Sequence, residues 1–250
     1  MDSAGVELLL VGDTAAELIL GLPHTRDIPP EFLLELTAAV RRGAKRAMVM
    51  ADLPFACRAG SEADTVRWAR RFLEYSQCDL VKIEVNSEHV ALVEAMTAAD
   101  VPVIAHLGLL PQMTDTQAGY PAQGRDAEGA LRLIEDARRF EQAGAVGLLL
   151  EAVAGQVAQE IATHTELPVI GCVAGPHCDG TVVVLHDMLG WGGGHPPRRV
   201  KQYENLESIL TSAFRAYVED IHSGRYPSQT DAITMRPGEF EKLSALCGEA

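Results

Sequence analysis

Six side chains able to move protons or hold a cation stand at or beside the ends of short apolar runs in this chain: Asp13, Asp52, Lys82, Glu84, His106 and Glu151. His186 and Asp187 close a seventh run. Asp13 and Asp52, two carboxylates from neighbouring runs with the other coordination positions left to water and substrate, suit octahedral Mg²⁺. Lys82 and Glu84 are two residues apart, so on a strand they face the same side. Buried there, they are costly unless paired with each other or bound to a ligand; a structural Lys–Glu pair is the plainer alternative. Glu151 follows Gly-Leu-Leu-Leu, and apolar neighbours of that kind are expected to raise its pKa into the range of a general acid/base. One carboxylate at a strand end is as well explained by capping the next helix. Five strand ends that carry carboxylate, Lys or His together favour a site.

The elements that must position these groups follow from the apolar pattern. The runs Val6–Val11, Arg46–Leu53, Leu80–Val85, Val101–His106, Val146–Glu151, Pro168–Val173 and Val182–His186 are short and continuous, as strands covered on both faces are. Helical spacing fills most of the intervals. Val66, Ala69, Leu73 and Ser76 share one face, as do Ala130, Leu133, Ile134, Ala137 and Phe140. A last helix is marked by Leu206, Ile209, Leu210, Ala213, Tyr217 and Ile221. Gly/Pro-rich connectors fall at 118–124 and 190–197. Strand–helix alternation implies right-handed βαβ units and a parallel sheet. In a parallel barrel every strand's C-terminal end opens on one face, where active sites are assembled from several strands. The expected fold is an α/β, TIM-type barrel over residues 1–225, with 226–250 a weakly patterned tail.

Composition narrows the function. Lys+Arg of 21 against Asp+Glu of 35 gives a formal charge of −14, and no local basic patch is evident, so nucleic acid and anionic membranes are not the expected partners. A field of that sign also repels an anionic small molecule unless a bound cation reverses it locally. Five cysteines without a CxxC pair fit a reducing cytoplasm. No apolar run approaches a membrane span, and residues 1–20 lack a basic signal-peptide start.

The same residues sit in strings that resemble the ketopantoate hydroxymethyltransferase family. They are Leu10-Val11-Gly12-Asp13, Ala51-Asp52-Leu53-Pro54-Phe55, Val81-Lys82-Ile83-Glu84 and Ala105-His106-Leu107-Gly108-Leu109-Leu110-Pro111-Gln112. Gly119-Tyr120…Gln123-Gly124, Leu150-Glu151, Cys178-Asp179-Gly180, Leu185-His186-Asp187-Met188-Leu189-Gly190 and Val200-Lys201-Gln202-Tyr203 continue the series in the family's order. The resemblance spans about residues 5 to 227. It implies a (β/α)₈ barrel of the phosphoenolpyruvate/pyruvate superfamily and a homo-oligomer. The implied reaction transfers a hydroxymethyl group from 5,10-methylenetetrahydrofolate to 3-methyl-2-oxobutanoate, giving 2-dehydropantoate for pantothenate biosynthesis. By resemblance, Asp13 and Asp52 bind Mg²⁺ and Glu84 supports it from the outer shell. Thr14, Asp52, Lys82 and His106 contact the 2-oxo acid, and Glu151 moves its C3 proton. Chelation of the oxo acid by Mg²⁺ would stabilise the enolate formed on that proton transfer.

The departures from the family pattern are specific. Thr14 replaces Ser and is followed by Ala15-Ala16 in place of Leu-Gly; Val85-Asn86 replaces Gly-Gly; Pro121 replaces Lys; Val173 replaces a Gly; Ala154 replaces Pro. They motivate one rival reading, another metal-enolate reaction such as an aldol or retro-aldol step on a different 2-oxo acid; the second rival is an inactive interaction subunit. Retention of all six chemical residues opposes the second. Cys172…His177-Cys178 offers three soft groups without a fourth and is read as loop structure. His186-Asp187 is read as an anchor of the last strand. Trp191 is as well explained as a surface aromatic as it is as a cover for a pterin. Gly192–Gly194 lacks a GxGxxG pattern. The paired arginines at 41–42, 70–71, 138–139 and 198–199 read as solvated.

The register of the motifs leaves a strand and helix that the family carries before Val-Gly-Asp outside these 250 residues. The expectation is therefore seven strands, with the first β/α unit lacking. Seven parallel strands leave two unpaired edges, to be covered by a neighbouring subunit, by the tail, or by a chain start lying upstream.

Overall fold

The computed structural model describes residues 1–114, 120–192 and 199–248. Two compact units emerge, Met1–His186 with Pro197–Val200, and Asp187–Pro196 with Lys201–Ala250. Gly119, the connector residues 118–119 and 193–197, and Arg198 lie outside the described residues.

The first unit is built on one parallel sheet in sequential order. Its strands are β1 (Leu8–Val11), β2 (Met48–Asp52), β3 (Leu80–Glu84), β4 (Val103–Gly108), β5 (Gly147–Glu151), β6 (Val169–Cys172) and β7 (Gly180–Thr181). Between them lie α1 (Ala15–Leu18), α2 (Pro30–Gly43), α3 (Glu62–Arg71), α4 (Val90–Ala98), α5 (Ala127–Gln142) and α6 (Gly155–His164); α7 (Leu185–Leu189) follows β7. Alternation along each strand sorts the side chains into two layers. Leu9, Val11, Val49, Val81, Ile83, Val103, Leu148 and Leu150 belong to the large core that includes Leu33 and Leu34 of α2, Val93 of α4 and Phe140 of α5. Met50, Ile104 and Leu149, with Leu8, Leu10, Leu80 and Ile170, form a second, smaller apolar cluster on the other face. The chemical residues share this second face, one turn of the pleat further along. Both faces of the sheet are therefore covered, which is why the strands read as unbroken apolar runs.

Six strands lie within two residues of their sequence-predicted positions. The seventh needs correction. Val182–His186 is not a strand: the short pair Gly180–Thr181 takes that place beside β6, and Val182 N–H donates the last bond, to Gly171 O at 2.9 Å. Leu185–Leu189 then turns helical, so the β-branched run 182–184 looks more strand-like than its neighbours allow. His186 and Asp187 accordingly sit in α7, and not at a strand's end as their anchoring role required. Among the described residues the count is seven strands, and none pairs β7 with β1.

The helices follow the sequence signals. Ser61 and Asp64 form a reciprocal capping box at the start of α3, and Asp126 accepts from Gly129 N–H at 2.8 Å to start α5. The Val66…Ser76 face continues past α3 into a wider turn, Phe72–Ser76, which ends at Gln77 in the left-handed conformation. In the second unit α8 (Leu206–Ser223) begins at Asn205, whose side chain accepts from Ser208 N–H at 3.0 Å, and stops at Gly224 with φ of 67°. Within the segment expected to lack pattern, Glu239–Gly248 forms a further helix, α9.

Candidate active site

Register brings the chemical residues together. Asp52 lies directly beside Lys82, Glu84 beside His106, and Glu151 beside Gly108 and Cys172. The result is a continuous buried string. Lys82 Nζ is 2.9 Å from Asp52 Oδ1 and 3.2 Å from His106 Nδ1. His106 Nε2 is 3.4 Å from Glu151 Oε2, and Nδ1 is 3.9 Å from Glu84 Oε1. Asp13, just past β1, donates its backbone N–H to Asp52 Oδ2 at 3.2 Å. All six residues predicted from sequence are thus assembled, with Asp13, Asp52, Lys82, Glu84 and His106 buried and Glu151 partly open.

One member was not legible in the sequence. Gln112, in the turn after β4, is fully buried and ties the site across its width. Its backbone N–H donates to the Glu84 carboxylate at 3.1 and 3.3 Å, and its side-chain Nε2 donates to Asp13 Oδ2 at 2.9 Å and Leu53 O at 3.2 Å. Only its place in the string Leu109-Leu110-Pro111-Gln112 could have drawn attention to it, because an amide titrates nowhere near neutral pH.

The electrostatics follow from burying so many charges. Burial pushes Asp52 up to about 7; Lys82 pulls it back down and the nearby Asp13 carboxylate adds to the rise. Burial likewise pushes Glu84 to about 9, against the pull of Lys82. Burial works against charge on Lys82, yet Asp52, Asp13 and Glu84 together hold its pKa above the ordinary lysine value. Burial and the Lys82 cation lower His106 to about 4, so it is neutral at physiological pH. With a charged Lys82 as donor to Nδ1, the neutral imidazole carries its proton on Nε2, facing Glu151.

Three buried polar atoms in this cluster lack a hydrogen-bond partner: Asp52 Oδ1, His106 Nε2 and Gln112 Oε1. Asp52 Oδ1 is 2.9 Å from the Lys82 ammonium, an ion pair that leaves the oxygen a lone pair for another positive centre. Among the described residues no group of three or more His, Cys, Asp or Glu side chains is placed to hold a metal ion. The Asp13 and Asp52 carboxylates, with an unsatisfied oxygen on Asp52, nonetheless match a hard cation that keeps several waters. The two carboxylates are hard oxygen donors of the kind that suits Mg²⁺.

The cluster opens on a small cavity of about 90 Å³, walled by Leu10, Gly12, Thr14, Lys82, Leu149, Glu151, Cys172 and Val182–Val184. Polar groups on one side face apolar wall on the other, the usual make-up of a small-molecule site. Val85, Asn86 and Val173, which depart from the family pattern, are not among its lining residues. Val85 packs into the outer core, and Asn86 caps the next turn by accepting from Glu88 N–H at 3.0 Å while contacting His89. Arg58 braces that loop, donating to Glu84 O at 2.7 Å and contacting His89 Nε2 at 2.5 Å. Val173 is different, since it holds a φ of 55°, a conformation a β-branched residue rarely adopts.

A family model described as ketopantoate hydroxymethyltransferase matches residues 1–229. The chain belongs to the ketopantoate hydroxymethyltransferase family. Curated relatives named 3-methyl-2-oxobutanoate hydroxymethyltransferase include those of Halalkalibacterium halodurans, 37% identical over 243 residues, and Geobacillus sp. strain WCH70, 40% identical over 242. Each alignment covers 97% of this chain and 87% of the relative. The protein is an enzyme, a hydroxymethyltransferase of the ketopantoate hydroxymethyltransferase type. Two crystal forms of 2,3-dimethylmalate lyase, a PEP mutase/isocitrate lyase superfamily member, share the fold, with TM-scores of 0.52 and 0.54 at 16% and 18% identity. They cover 99% and 98% of this chain and 88% and 85% of their own. At that identity the likeness concerns fold alone, and it agrees with the TIM-type barrel expected from the strand–helix alternation. No helix among the described residues is long and apolar enough to cross a membrane.

Proposed function

We propose that this hydroxymethyltransferase acts on 3-methyl-2-oxobutanoate, takes its one-carbon unit from 5,10-methylenetetrahydrofolate, and releases 2-dehydropantoate. The observation that supports this reading most is the buried string Asp52–Lys82–His106–Glu151, which ends in a carboxylate at the cavity wall. Asp13 and Asp52 are the residues that would hold Mg²⁺, with Glu84 behind them. When bound, the cation supplies positive charge for the substrate carboxylate and for the negative charge that develops on its 2-oxygen. Lys82 and Thr14 orient the oxo acid. Leu10, Leu149 and Val182 exclude water around its branched alkyl end. Glu151 takes the C3 proton, with neutral His106 behind it, Nε2 3.4 Å from the Glu151 carboxylate, while the carbanion attacks the one-carbon unit. Once the C–C bond has formed, water supplies the hydroxyl to the transferred carbon as its bonds to the folate nitrogens break, and the proton held by Glu151 and the one left by water go to those nitrogens, releasing tetrahydrofolate. We further propose a cytoplasmic homo-oligomer with small-molecule partners only. Turnover of 3-methyl-2-oxobutanoate with methylenetetrahydrofolate and Mg²⁺ tests the proposal. Formation of 2-dehydropantoate supports it; oxo-acid binding without product would leave the family chemistry directed at another acceptor or donor.

A further inference from the structure

The amide of Gln112 has its orientation forced. Its Nε2 lies between two acceptors, Asp13 Oδ2 and Leu53 O, at 2.9 and 3.2 Å. Turning the amide over would set its oxygen against both, so the oxygen must face away from them. There, Oε1 is buried and has no donor. A buried amide oxygen without a donor is unfavourable in a finished core and is expected where a ligand completes the site. The residue is no loose appendage either, because its backbone N–H is held by both Glu84 oxygens. Gln112 thus joins the two carboxylates on either side of the cluster while keeping one acceptor in reserve.

We propose that Gln112 is a positioning residue of the cation site: Nε2–H fixes the Asp13 carboxylate, and Oε1 accepts a hydrogen from a water in the cation's hydration shell. The inference rests on the proposed Mg²⁺ site. It gives a physical reason for an uncharged residue at this point, since Asp13, Asp52 and Glu84 already bring three carboxyl groups together here, whereas an amide supplies both a donor and an acceptor at no charge.

The test uses Mn²⁺ as the probe, titrated into the full chain and followed by its paramagnetic resonance signal. Gln112→Met keeps the length of the side chain and removes both polar atoms. The expected result is a Kd for Mn²⁺ raised about ten- to a hundredfold, in the range of lost outer-shell partners, in a protein that still melts cooperatively. A purely structural role would lower the melting temperature of the metal-free protein and leave the Kd within twofold, and that result overturns the proposal. Should the variant not fold, the unaltered protein gives the answer. Saturation with Mg²⁺ must shift the Gln112 side-chain amide resonance and leave that of exposed Gln159 on α6 in place; an unmoved Gln112 resonance overturns the proposal. Absence of Mn²⁺ binding by the unaltered protein removes the Mg²⁺ reading and this inference together. Binding that ignores Gln112 removes only the inference.

Discussion

Gly108 ends β4 directly beside Glu151, and the position of the proposed base depends on its having no side chain. Its φ is 97°, and a Cβ there would lie 2.5 Å from Val153 Cγ2 and closer still to Glu151 O. In Gly108→Ala the β5 end must retreat by about 0.9 Å to restore ordinary contact with Val153. The backbone strain costs about 1–3 kcal/mol. Weakening the bond from Leu109 N–H to Glu151 O, 2.8 Å long, adds about 1 kcal/mol. Together these give a loss of about 2–4 kcal/mol in unfolding free energy, read from urea denaturation at constant slope. The same retreat moves Glu151 away from a substrate held by the other strands, and a displacement near 1 Å costs about a hundredfold in rate. kcat for 3-methyl-2-oxobutanoate is expected to fall by that order while KM changes less. Wild-type stability together with wild-type kcat in Gly108→Ala would refute the idea that this contact sets the base.

Other expected outcomes follow from single features. Val173→Gly releases a β-branched residue from a φ of 55° and is expected to raise stability by about 1 kcal/mol, seen as a higher urea midpoint; a lower midpoint contradicts it. Lys82→Met leaves Asp52 buried without its cation and is expected to cost about 3–5 kcal/mol, whereas a loss below 1 kcal/mol would show that the pair is not coupled. Asp52 and Glu84 have folded pKa values pushed up to about 7 and about 9 from ordinary values of 3.8 and 4.5. Between those limits the folded protein binds more protons than the unfolded chain, so this contribution to stability is present at acid pH and is lost as pH rises through the folded values. In chelator, the urea midpoint of the wild type should therefore fall more steeply from pH 5 to pH 9 than that of Glu84→Gln; equal slopes would contradict the assignment.

The parts of the site that could be read from sequence are those that a parallel barrel imposes. Asp13, Asp52, His106 and Glu151 stand at strand ends, and Lys82 and Glu84 alternate with buried Val81 and Ile83, so topology alone gathers them on one face. Gln112 escaped because its importance comes from three contacts across 28 to 99 residues of chain, with no periodicity to announce them. The seventh strand was misplaced because Val182, Val183 and Val184 have β-branched side chains, while the ladder to β6 ends at Val182. Asn86, which departs from the family pattern, spends its side chain on capping its own turn, a local role that the replacement of a Gly does not by itself announce.

The proposed function depends above all on Glu151 removing the C3 proton of a 2-oxo acid held in this cavity. Loss of the C3 proton signal of 3-methyl-2-oxobutanoate in deuterium oxide with Mg²⁺ present, followed by proton NMR for the wild type and for Glu151→Gln, tests it most directly. Exchange by the wild type that is abolished in Glu151→Gln is the expected result. Equal exchange by the two proteins, or none by the wild type, would contradict it.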